Sequence, residues 1–552
     1  MAEVIPKTRP ISALVEADPG AVPFSVQKKP RLDVELEGNA VASSSAATRR
    51  GQEPAKKRNK KSKHRLPDPY SNGDVLWRDV RDLLGADVAD GIVEKGDEWK
   101  TPFQSGEEVE VEVSALSSTG NGLAVAPSPR PPWVVVVPFA LPGEVARVKI
   151  HQHNQLHSIS SLLEIKTPNP TMRDNSRIKC RYFGACGGCQ YQQLSYDTQL
   201  DLKRNVIVKA FEHFSGLPES SLPTVDATIP SPLQYGYRTK ITPHFQRPPK
   251  GVKKLEGSTK PSWLNIGFNA NDTSRVLDIE ECPIATPTLN EAYGPIREEI
   301  ASKIMTYKRG ATLLLRESLP IPGEGTAGTV DPDTAICVTN PKGKVREKVG
   351  GKVFEYGANV FFQNNNSILA PLISYVRDAV FAAGGDPDRP RPTHLIDAYC
   401  GTGLFAISLA DDFEKVVGIE IDKDSIQSAT RNAIINGLQG KCSFVSGDAA
   451  DIFSDVEDRR EFPRYQTVLI IDPPRKGTDE KFIDQMIEFG CGLVVYVSCN
   501  AHTQARDLGM ILGKTTEDGR RYVVESLRGF DLFPQTAHVE SVAVLRLKEG
   551  GT

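Results

Sequence analysis

The 552-residue sequence predicts an α/β protein whose C-terminal third forms a doubly wound, mostly parallel β-sheet. Two patterns predict this architecture. Beyond about residue 366, short apolar strands alternate with amphipathic helices. Between about residues 103 and 167, apolar and polar residues alternate in short runs separated by glycine-containing turns, which is typical of a small β-barrel.

These patterns divide the chain into four predicted regions. Residues 1–100 form a mostly disordered, basic tail, because they are rich in Pro, Ala, Ser and charged residues. Within that tail, residues 76–84 place apolar side chains on one face and predict a short helix. Residues 101–168 form the barrel, 169–365 a mixed central domain containing a four-cysteine cluster, and 366–552 the sheet domain.

The overall composition is that of a soluble protein, with 25% charged and 39% hydrophobic residues. No stretch of roughly eighteen apolar residues occurs, so we expect no membrane association. The first residues lack an apolar stretch, so we expect no secretory signal. Nothing resembles a coiled coil, and we expect a monomer without an obligate protein partner.

The formal net charge of -3 conceals a strongly basic segment in the tail. The run from Lys56 to Lys63 contains six Lys or Arg residues and is typical of a nuclear localisation signal or a nucleic-acid tether. A merely solvated linker is the alternative. We therefore expect the protein in the nucleus, the cytoplasm or both, and mitochondrial targeting is left open.

The predicted barrel shows three features in order. Glu108–Val113 alternates with period two, Gly120-Asn-Gly122 predicts a turn, and Val134–Val137 predicts a buried strand. Small barrels of this OB-like kind commonly bind oligonucleotides, which favours an RNA-binding surface over a purely structural module.

The sheet domain begins with a strand over Thr393–Asp397, followed by a helix over Phe405–Ala410. A second strand over Val416–Ile421 and a helix over Asp424–Asn436 continue the alternation. Further strands are predicted near Phe444, over Thr467–Asp472 and over Leu493–Ser498. Ligands of such folds bind where the strands end at their carboxyl side, so motifs at those ends are candidate site residues.

Two of these motifs predict a nucleotide-like cofactor. Asp397-Ala-Tyr399-Cys-Gly-Thr-Gly403 has small glycines at a strand-to-helix turn, and Glu420 ends the next strand where ribose hydroxyls are usually bound. Ala406 lies where a dinucleotide-binding fingerprint accepts Gly or Ala, so the glycine spacing alone does not exclude NAD as the cofactor. The Asp472-Pro-Pro-Arg475 loop and a nearby thiol have no obvious use in hydride transfer, which favours S-adenosylmethionine.

Cys499 follows a buried strand, and Glu540 precedes an apolar one. A thiol and a carboxylate beside such a cofactor suit methylation of a pyrimidine ring. Carbon 5 of uracil is too weak a nucleophile to attack a sulfonium methyl unaided, but addition of a thiolate at carbon 6 activates it. A base must afterwards remove the carbon-5 proton, a role that suits Glu540. The alternatives are that Cys499 is a thiol packed in the core and that Glu540 is a surface carboxylate. A further alternative is an enzyme that methylates an exocyclic amine with the Asp-Pro-Pro loop and does not use Cys499.

Together these motifs resemble the RNA uridine-C5 methyltransferases over about residues 103 to 548, with an N-terminal barrel resembling a TRAM domain. The resemblance implies a Rossmann-like class I methyltransferase fold and 5-methyluridine formation in tRNA, at the T-loop uridine. It further implies that Cys499 is the nucleophile and Glu540 the proton acceptor. It also implies that the cofactor is contacted by Gln363, Tyr399, Glu420 and Asp472. Leu404 departs from bacterial relatives, which commonly carry Asn there.

The basic tail favours a eukaryotic, fungal-like member that acts on tRNA. Two alternatives stay open: the same chemistry on ribosomal RNA, and an RNA-binding or RNA-folding protein whose methylation is secondary.

A second constellation consists of Cys180, Cys186, Cys189 and the distant Cys282. Four thiolates with tight glycine turns can hold an iron–sulfur cluster or a structural zinc. Because the family that this chain resembles includes members with a 4Fe-4S cluster at such a pattern, we expect that cluster here, with zinc or an empty site as alternatives. Its expected role is structural or RNA-orienting, since methyl transfer needs no redox step.

Overall fold

The computed structural model describes residues 27–28, 66–94, 100–252, 260–271, 275–322, 334–381, 391–447 and 462–548. The basic run 56–63 lies outside these ranges. No helix within them is long and apolar enough to span a bilayer.

Two helices precede the barrel, α1 (Asn72–Leu84) and α2 (Ala86–Glu94). Ser71 caps α1, because its side-chain oxygen accepts a hydrogen bond from the backbone N–H of Asp74 at 3.2 Å. The apolar face of α1 packs against the barrel core. The segment predicted as a mostly disordered tail therefore contains the expected short helix and a second one.

Five strands close into a barrel in the order β2-β3-β4-β6-β5, as the sequence predicts. Burial alternates along the first strand, so that every second side chain fills the interior. The strands are β2 (Glu108–Leu116), β3 (Gly122–Val125), β4 (Val134–Val137), β5 (Val145–Asn154) and β6 (His157–Thr167).

The central segment combines two long helices with short strands, which pair in antiparallel fashion except for β7. The helices are α3 (Tyr196–Phe214) and α4 (Pro287–Lys303). Its strands are β7 (Asp226–Ile229), β8 (Lys240–Ile241), β9 (His244–Phe245), β10 (Ile266–Gly267), β11 (Ala311–Thr312), β12 (Leu315–Ser318), β13 (Ile336–Val338), β14 (Lys344–Val349) and β15 (Lys352–Gly357). The two-residue strand β1 (Gln27–Lys28), from the N-terminal region, pairs with β11.

An eight-stranded sheet dominates the C-terminal part, in the order β18-β17-β16-β19-β20-β22-β21-β7. Its strands are β16 (His394–Ala398), β17 (Lys415–Glu420), β18 (Cys442–Ser446), β19 (Thr467–Ile471), β20 (Leu493–Ser498), β21 (Arg521–Phe530) and β22 (Glu540–Lys548), joined at one edge by β7. The helices are α5 (Leu369–Val380), α6 (Leu404–Leu409), α7 (Lys423–Ile435), α8 (Glu480–Phe489) and α9 (Ala501–Leu512).

Both faces of this sheet are covered. Ile396 and Leu469 belong to one apolar cluster, whereas their strand neighbours Leu395 and Val468 belong to another on the opposite face. Strands buried on both faces read as continuous apolar runs, which is why the sequence pattern identifies them. β16 to β20 run parallel, and β22 runs antiparallel to β20. This arrangement brings the carboxyl ends of the parallel strands together at one edge.

Candidate active site

Four predicted site residues lie at that edge of the sheet. Ala398 pairs with Ile419 of β17 and with Ile471 of β19, and Ile471 pairs with Tyr496 of β20. The next residues along these strands are therefore neighbours, since parallel strands end side by side. They include Tyr399, Glu420 and Asp472, and Cys499 directly follows Ser498, the last residue of β20.

Glu540 reaches the same edge from the other direction. Because β22 is antiparallel to β20, its first residues lie beside the last residues of β20, and Ser541 pairs with Ser498. Glu540 and Cys499 therefore lie side by side. Glu540 is buried, being 3% exposed, and β22 is an inner strand with neighbours on both sides.

The loop after β16 has the shape of a ligand cradle. Tyr399 adopts the left-handed backbone conformation, with φ of 62°. The Glu420 carboxylate accepts hydrogen bonds from the backbone N–H of Gly401 at 3.3 Å and of Asp422 at 2.9 Å. A Cβ built on Gly401 would meet nothing within 4 Å, so open space lies beside this loop.

Asp397 supports the loop from beneath. One carboxylate oxygen accepts a hydrogen bond from the Ala406 N–H at 2.8 Å, while the other is buried with no hydrogen-bond partner in the described part of the chain. Burial raises the pKa of Asp397 to about 7. Ile421, directly after Glu420, is 68% exposed and offers an apolar wall. The loop therefore combines open space at Gly401, an apolar surface at Ile421 and an unpaired carboxylate oxygen at Asp397. These features fit a cofactor that carries a nucleoside.

The electrostatics favour a positively charged ligand. Burial, together with the neighbouring Glu540 and Asp397 carboxylates, raises the pKa of Asp472 well above its usual range. Carboxyl groups in this situation bind a cation favourably, because the cation offsets both their repulsion and their lost hydration. The sulfonium of S-adenosylmethionine has the required sign of charge.

Cys499 is held between a buried strand and a capped helix. Asn500 caps α9 by accepting from the His502 N–H, and its side-chain amide donates to the Arg475 carbonyl at 2.9 Å. Burial and the nearby Glu540 and Asp472 carboxylates raise the pKa of the Cys499 thiol to about 12, while the Arg475 cation opposes them. The thiol is therefore protonated before a cationic ligand binds.

Gln363 lies on a loop that follows β15. The buried Arg316 guanidinium donates to the Val360 carbonyl at 2.7 Å, and Asn365 donates to the Leu532 carbonyl at 3.0 Å. The first bond joins the loop to β12, and the second joins it to the segment of the sheet domain that precedes Glu540. Gln363 itself is 9% exposed, and Phe361, two residues earlier, is 72% exposed.

Comparison with known families matches residues 335–548 to tRNA (Uracil-5-)-methyltransferase and residues 102–156 to the TRAM domain. A Schizosaccharomyces pombe protein named tRNA (uracil(54)-C(5))-methyltransferase is 42% identical over 510 residues, covering 92% of this chain and 89% of that protein. The chain belongs to the tRNA (uracil-5-)-methyltransferase family. The predicted family and its TRAM-type barrel are thus confirmed.

Two further relatives of this methyltransferase are informative. A Saccharomyces cerevisiae protein with the same name is 39% identical over 475 residues, covering 79% of this chain and 73% of that protein. The crystal structure of Pyrococcus abyssi tRNA (uracil-54, C5)-methyltransferase with S-adenosyl-L-homocysteine aligns with a TM-score of 0.53 at 22% identity, over 79% of this chain and 99% of that one. This likeness confirms the predicted fold class.

The four-cysteine constellation of this methyltransferase is brought together in space. The charges of Cys180, Cys186 and Cys282 all raise the pKa of Cys189, although burial is the larger cause and brings it to about 12. Across the described ranges, however, no group of three or more His, Cys, Asp or Glu side chains is arranged as a metal site. The predicted metal cluster is therefore not confirmed by the structure.

Sequence reasoning missed two residues at the site of this methyltransferase. The cation of Arg475 acts on the thiol of Cys499, and the imidazole of His538 lies 3.9 Å from the Glu540 carboxylate. Arg475 belongs to the Asp472-Pro-Pro-Arg475 motif and His538 lies two residues before Glu540, but no local signal assigns either of them a role. Their positions depend on how separate loops meet.

Proposed function

We propose that this methyltransferase binds S-adenosylmethionine and methylates carbon 5 of the T-loop uridine in tRNA, the position named uracil-54 in its fungal relatives. One observation carries the proposal: the Cys499 thiol and the Glu540 carboxylate lie side by side at the carboxyl edge of the sheet, beside the cofactor cradle. Methylation of an exocyclic amine would require neither group.

Cys499 acts first in the proposed mechanism. Its thiolate attacks carbon 6 of the uracil, a carbon–sulfur bond forms, and the electron pair of the 5,6 double bond moves into an enolate. Carbon 5 thereby becomes nucleophilic enough to accept a methyl group. The cofactor, when bound, would supply that methyl group from its positively charged sulfonium sulfur.

Glu540 acts last. Its carboxylate accepts the proton from carbon 5, the 5,6 double bond forms again, and the carbon–sulfur bond to Cys499 breaks with the electron pair returning to sulfur. Asp472, Glu420, Tyr399 and Gln363 are proposed to hold the cofactor. The open loop at Gly401 leaves room for it.

The target uridine must leave its stack to reach a buried thiol, which requires base flipping. We propose that the TRAM-type barrel and the segment around Arg238 and Lys240 bind the RNA. Burial and the neighbouring Arg316 and Arg238 cations lower the pKa of Lys240 to about 8. Lys240 lies on the short strand β8, and Pro243, which lacks a backbone donor, separates β8 from β9.

Nucleoside mass spectrometry tests the proposal. The purified protein and S-adenosylmethionine are incubated with unmodified tRNA transcripts, each beside a matched transcript that carries cytidine at the T-loop target. We expect 5-methyluridine only in the uridine transcript. Product in ribosomal RNA but not in tRNA would retain the chemistry and reassign the substrate. No product in either would favour an RNA-binding role.

We further propose that Cys180, Cys186, Cys189 and Cys282 hold a 4Fe-4S cluster with a structural role. The four cysteines lie close enough for their charges to raise one another's pKa, and four cysteine thiolates are the usual ligands of such a cluster. Protein purified without oxygen should contain iron and sulfide and absorb broadly near ~400 nm. Cys282→Ser should remove both, whereas Cys337→Ser should retain them. A colourless, zinc-containing preparation would contradict this assignment.

A further inference from the structure

The segment between β21 and β22, residues 531–539, leads directly into Glu540, and we call it the base loop. Four consecutive carbonyl groups of this loop accept hydrogen bonds from residues far away in the sequence. The donors are Asn365 to Leu532 at 3.0 Å, Lys203 to Phe533 at 3.0 Å, Tyr237 to Pro534 at 3.0 Å, and the backbone N–H groups of Gln190 and Tyr191 to Gln535 at 2.9 and 3.0 Å.

Gln535 is the most constrained residue of the base loop. Its backbone is left-handed, with φ of 71°, and its side chain is 2% exposed. This conformation is unfavourable for a residue with a Cβ, so surrounding contacts must maintain it. Besides the bonds to its carbonyl, two come from Gln199 on α3: the Gln535 N–H donates to the Gln199 side-chain oxygen at 3.0 Å, and the Gln199 amide donates to the Gln535 side-chain oxygen at 3.2 Å.

We infer that Gln199 and Gln535 are positioning residues that place Glu540 for removal of the carbon-5 proton. The inference rests on the proposed function. Glu540 follows Gln535 by five residues, and a general base must come within ~3.2 Å of the atom that carries the proton. The reciprocal amide pair fixes the middle of the base loop to α3, and the pairing of β22 with β20 fixes the end that leads into Glu540.

The order of the chemical steps gives this inference a specific signature. Cys499 attacks before Glu540 is needed, so a displaced base interrupts the reaction after the carbon–sulfur bond has formed. A variant that merely destabilises the protein would slow every step and accumulate nothing. A displaced base should instead leave protein covalently bound to RNA.

The experiment compares Gln199→Leu with a matched control, Gln193→Leu. Gln193 is also a fully buried glutamine, and its side-chain atoms have no hydrogen-bond partner in the described part of the chain. We expect Gln199→Leu to lower turnover of tRNA by ~10- to 100-fold and to accumulate an adduct that survives denaturing electrophoresis. Gln193→Leu should retain turnover without an adduct.

Two milder variants keep the test informative if Gln199→Leu fails to fold. Gln199→Glu keeps the acceptor for the Gln535 N–H, so it should recover part of the turnover. Gln535→Asn tolerates the left-handed backbone but has a side chain too short for the reciprocal bond, and it should accumulate the adduct.

Several outcomes would overturn the inference. Slow turnover of both Gln199→Leu and Gln535→Asn without any adduct would make the pair structural only. If the unmodified protein makes 5-methyluridine and Glu540→Gln accumulates the adduct, while the two glutamine variants accumulate none, the positioning inference alone is contradicted. If the unmodified protein makes no 5-methyluridine in any RNA, the proposed function itself fails.

Discussion

Cys499 lies where its surroundings oppose its ionisation. Burial and two carboxyl groups raise the pKa of the thiol, and the Arg475 cation acts in the opposite direction. A nucleophilic cysteine must be a thiolate to react, so the site needs a further positive charge. Under the proposed function, the sulfonium of the cofactor provides it, which would make attack on the uridine depend on prior cofactor binding.

The first prediction concerns the nucleophile and the base. Cys499→Ala should abolish both methylation and adduct formation, because no carbon–sulfur bond can form. Glu540→Gln should lower turnover by ~100-fold or more and accumulate the covalent adduct, since elimination requires the base. Denaturing gels with labelled tRNA measure both. Cys491→Ala, at a buried cysteine outside the site, is the control and should behave like the unmodified protein.

The second prediction concerns pH. Because the pKa of Cys499 is raised to about 12, the thiolate fraction grows as pH rises through the neutral and mildly alkaline range. Adduct formation by Glu540→Gln should therefore become faster with pH, by up to ~10-fold per pH unit while ionisation limits the rate.

Arg475 provides the matched test of that pH dependence. Arg475→Gln removes the opposing cation, so the pH–rate profile should move to higher pH, whereas Arg475→Lys should retain the original profile. A change in KM for tRNA with an unmoved profile would contradict an electrostatic role of Arg475 and indicate RNA contact alone.

At the scale of elements, α3 joins the central segment to the base loop. Lys203 of α3 and Asp531 form an ion pair whose side chains are both fully buried, and the Tyr196 hydroxyl also donates to Asp531 at 2.9 Å. Burial lowers the pKa of Lys203, and the Asp531 carboxylate opposes that shift. The pair therefore remains charged only because both partners are present.

The third prediction concerns this ion pair. Lys203→Met should lower the free energy of unfolding by ~3–5 kcal/mol, because it leaves the Asp531 carboxylate buried without its partner. Urea titration followed by tryptophan fluorescence measures the change. The double variant Lys203→Met with Asp531→Asn should recover part of the loss. A double variant less stable than Lys203→Met alone would contradict this account.

At the scale of the whole molecule, the barrel touches the base loop. Gly120 lies in the turn after β2, and a Cβ built there would come within 2.7 Å of the Ala537 side chain. Asp79 of α1 fixes the same region, since its carboxylate accepts from the Ser118 N–H and from Lys209 of α3, both at 2.8 Å. RNA bound to the barrel would therefore lie next to the loop that carries the base.

The fourth prediction tests this contact with two glycines of similar conformation. Gly120 and Gly106 have φ of 84° and 87°, but a Cβ on Gly106 would meet nothing within 4 Å. Both substitutions to Ala carry the same backbone cost, so only Gly120→Ala should displace the barrel from the base loop. We expect Gly120→Ala to lower kcat for tRNA by ~10-fold or more relative to Gly106→Ala. Equal kcat values would contradict the coupling.

Local patterns in the sequence predicted much of this protein. Continuous apolar runs identified the parallel strands, and the motifs at their ends identified Tyr399, Glu420, Asp472 and Cys499 as neighbours, because parallel strands end at one edge. Period-two alternation identified the barrel, and the ordered motif set identified the family. The roles assigned to these residues, and to Gln363 and Glu540, stay predictions, and the variants above test those of Cys499 and Glu540.

The tertiary structure alone decided how the base is held. Gln199 and Gln535 are 336 residues apart, and a hydrogen bond between two amides leaves no periodic signal in either segment. The four-residue strand β7 joins the edge of the sheet from the central segment, although it is too short for its pattern to be recognised. Sequence periodicity reports which side chains are buried within one element. It does not report which distant element covers them, because that depends on how the chain packs.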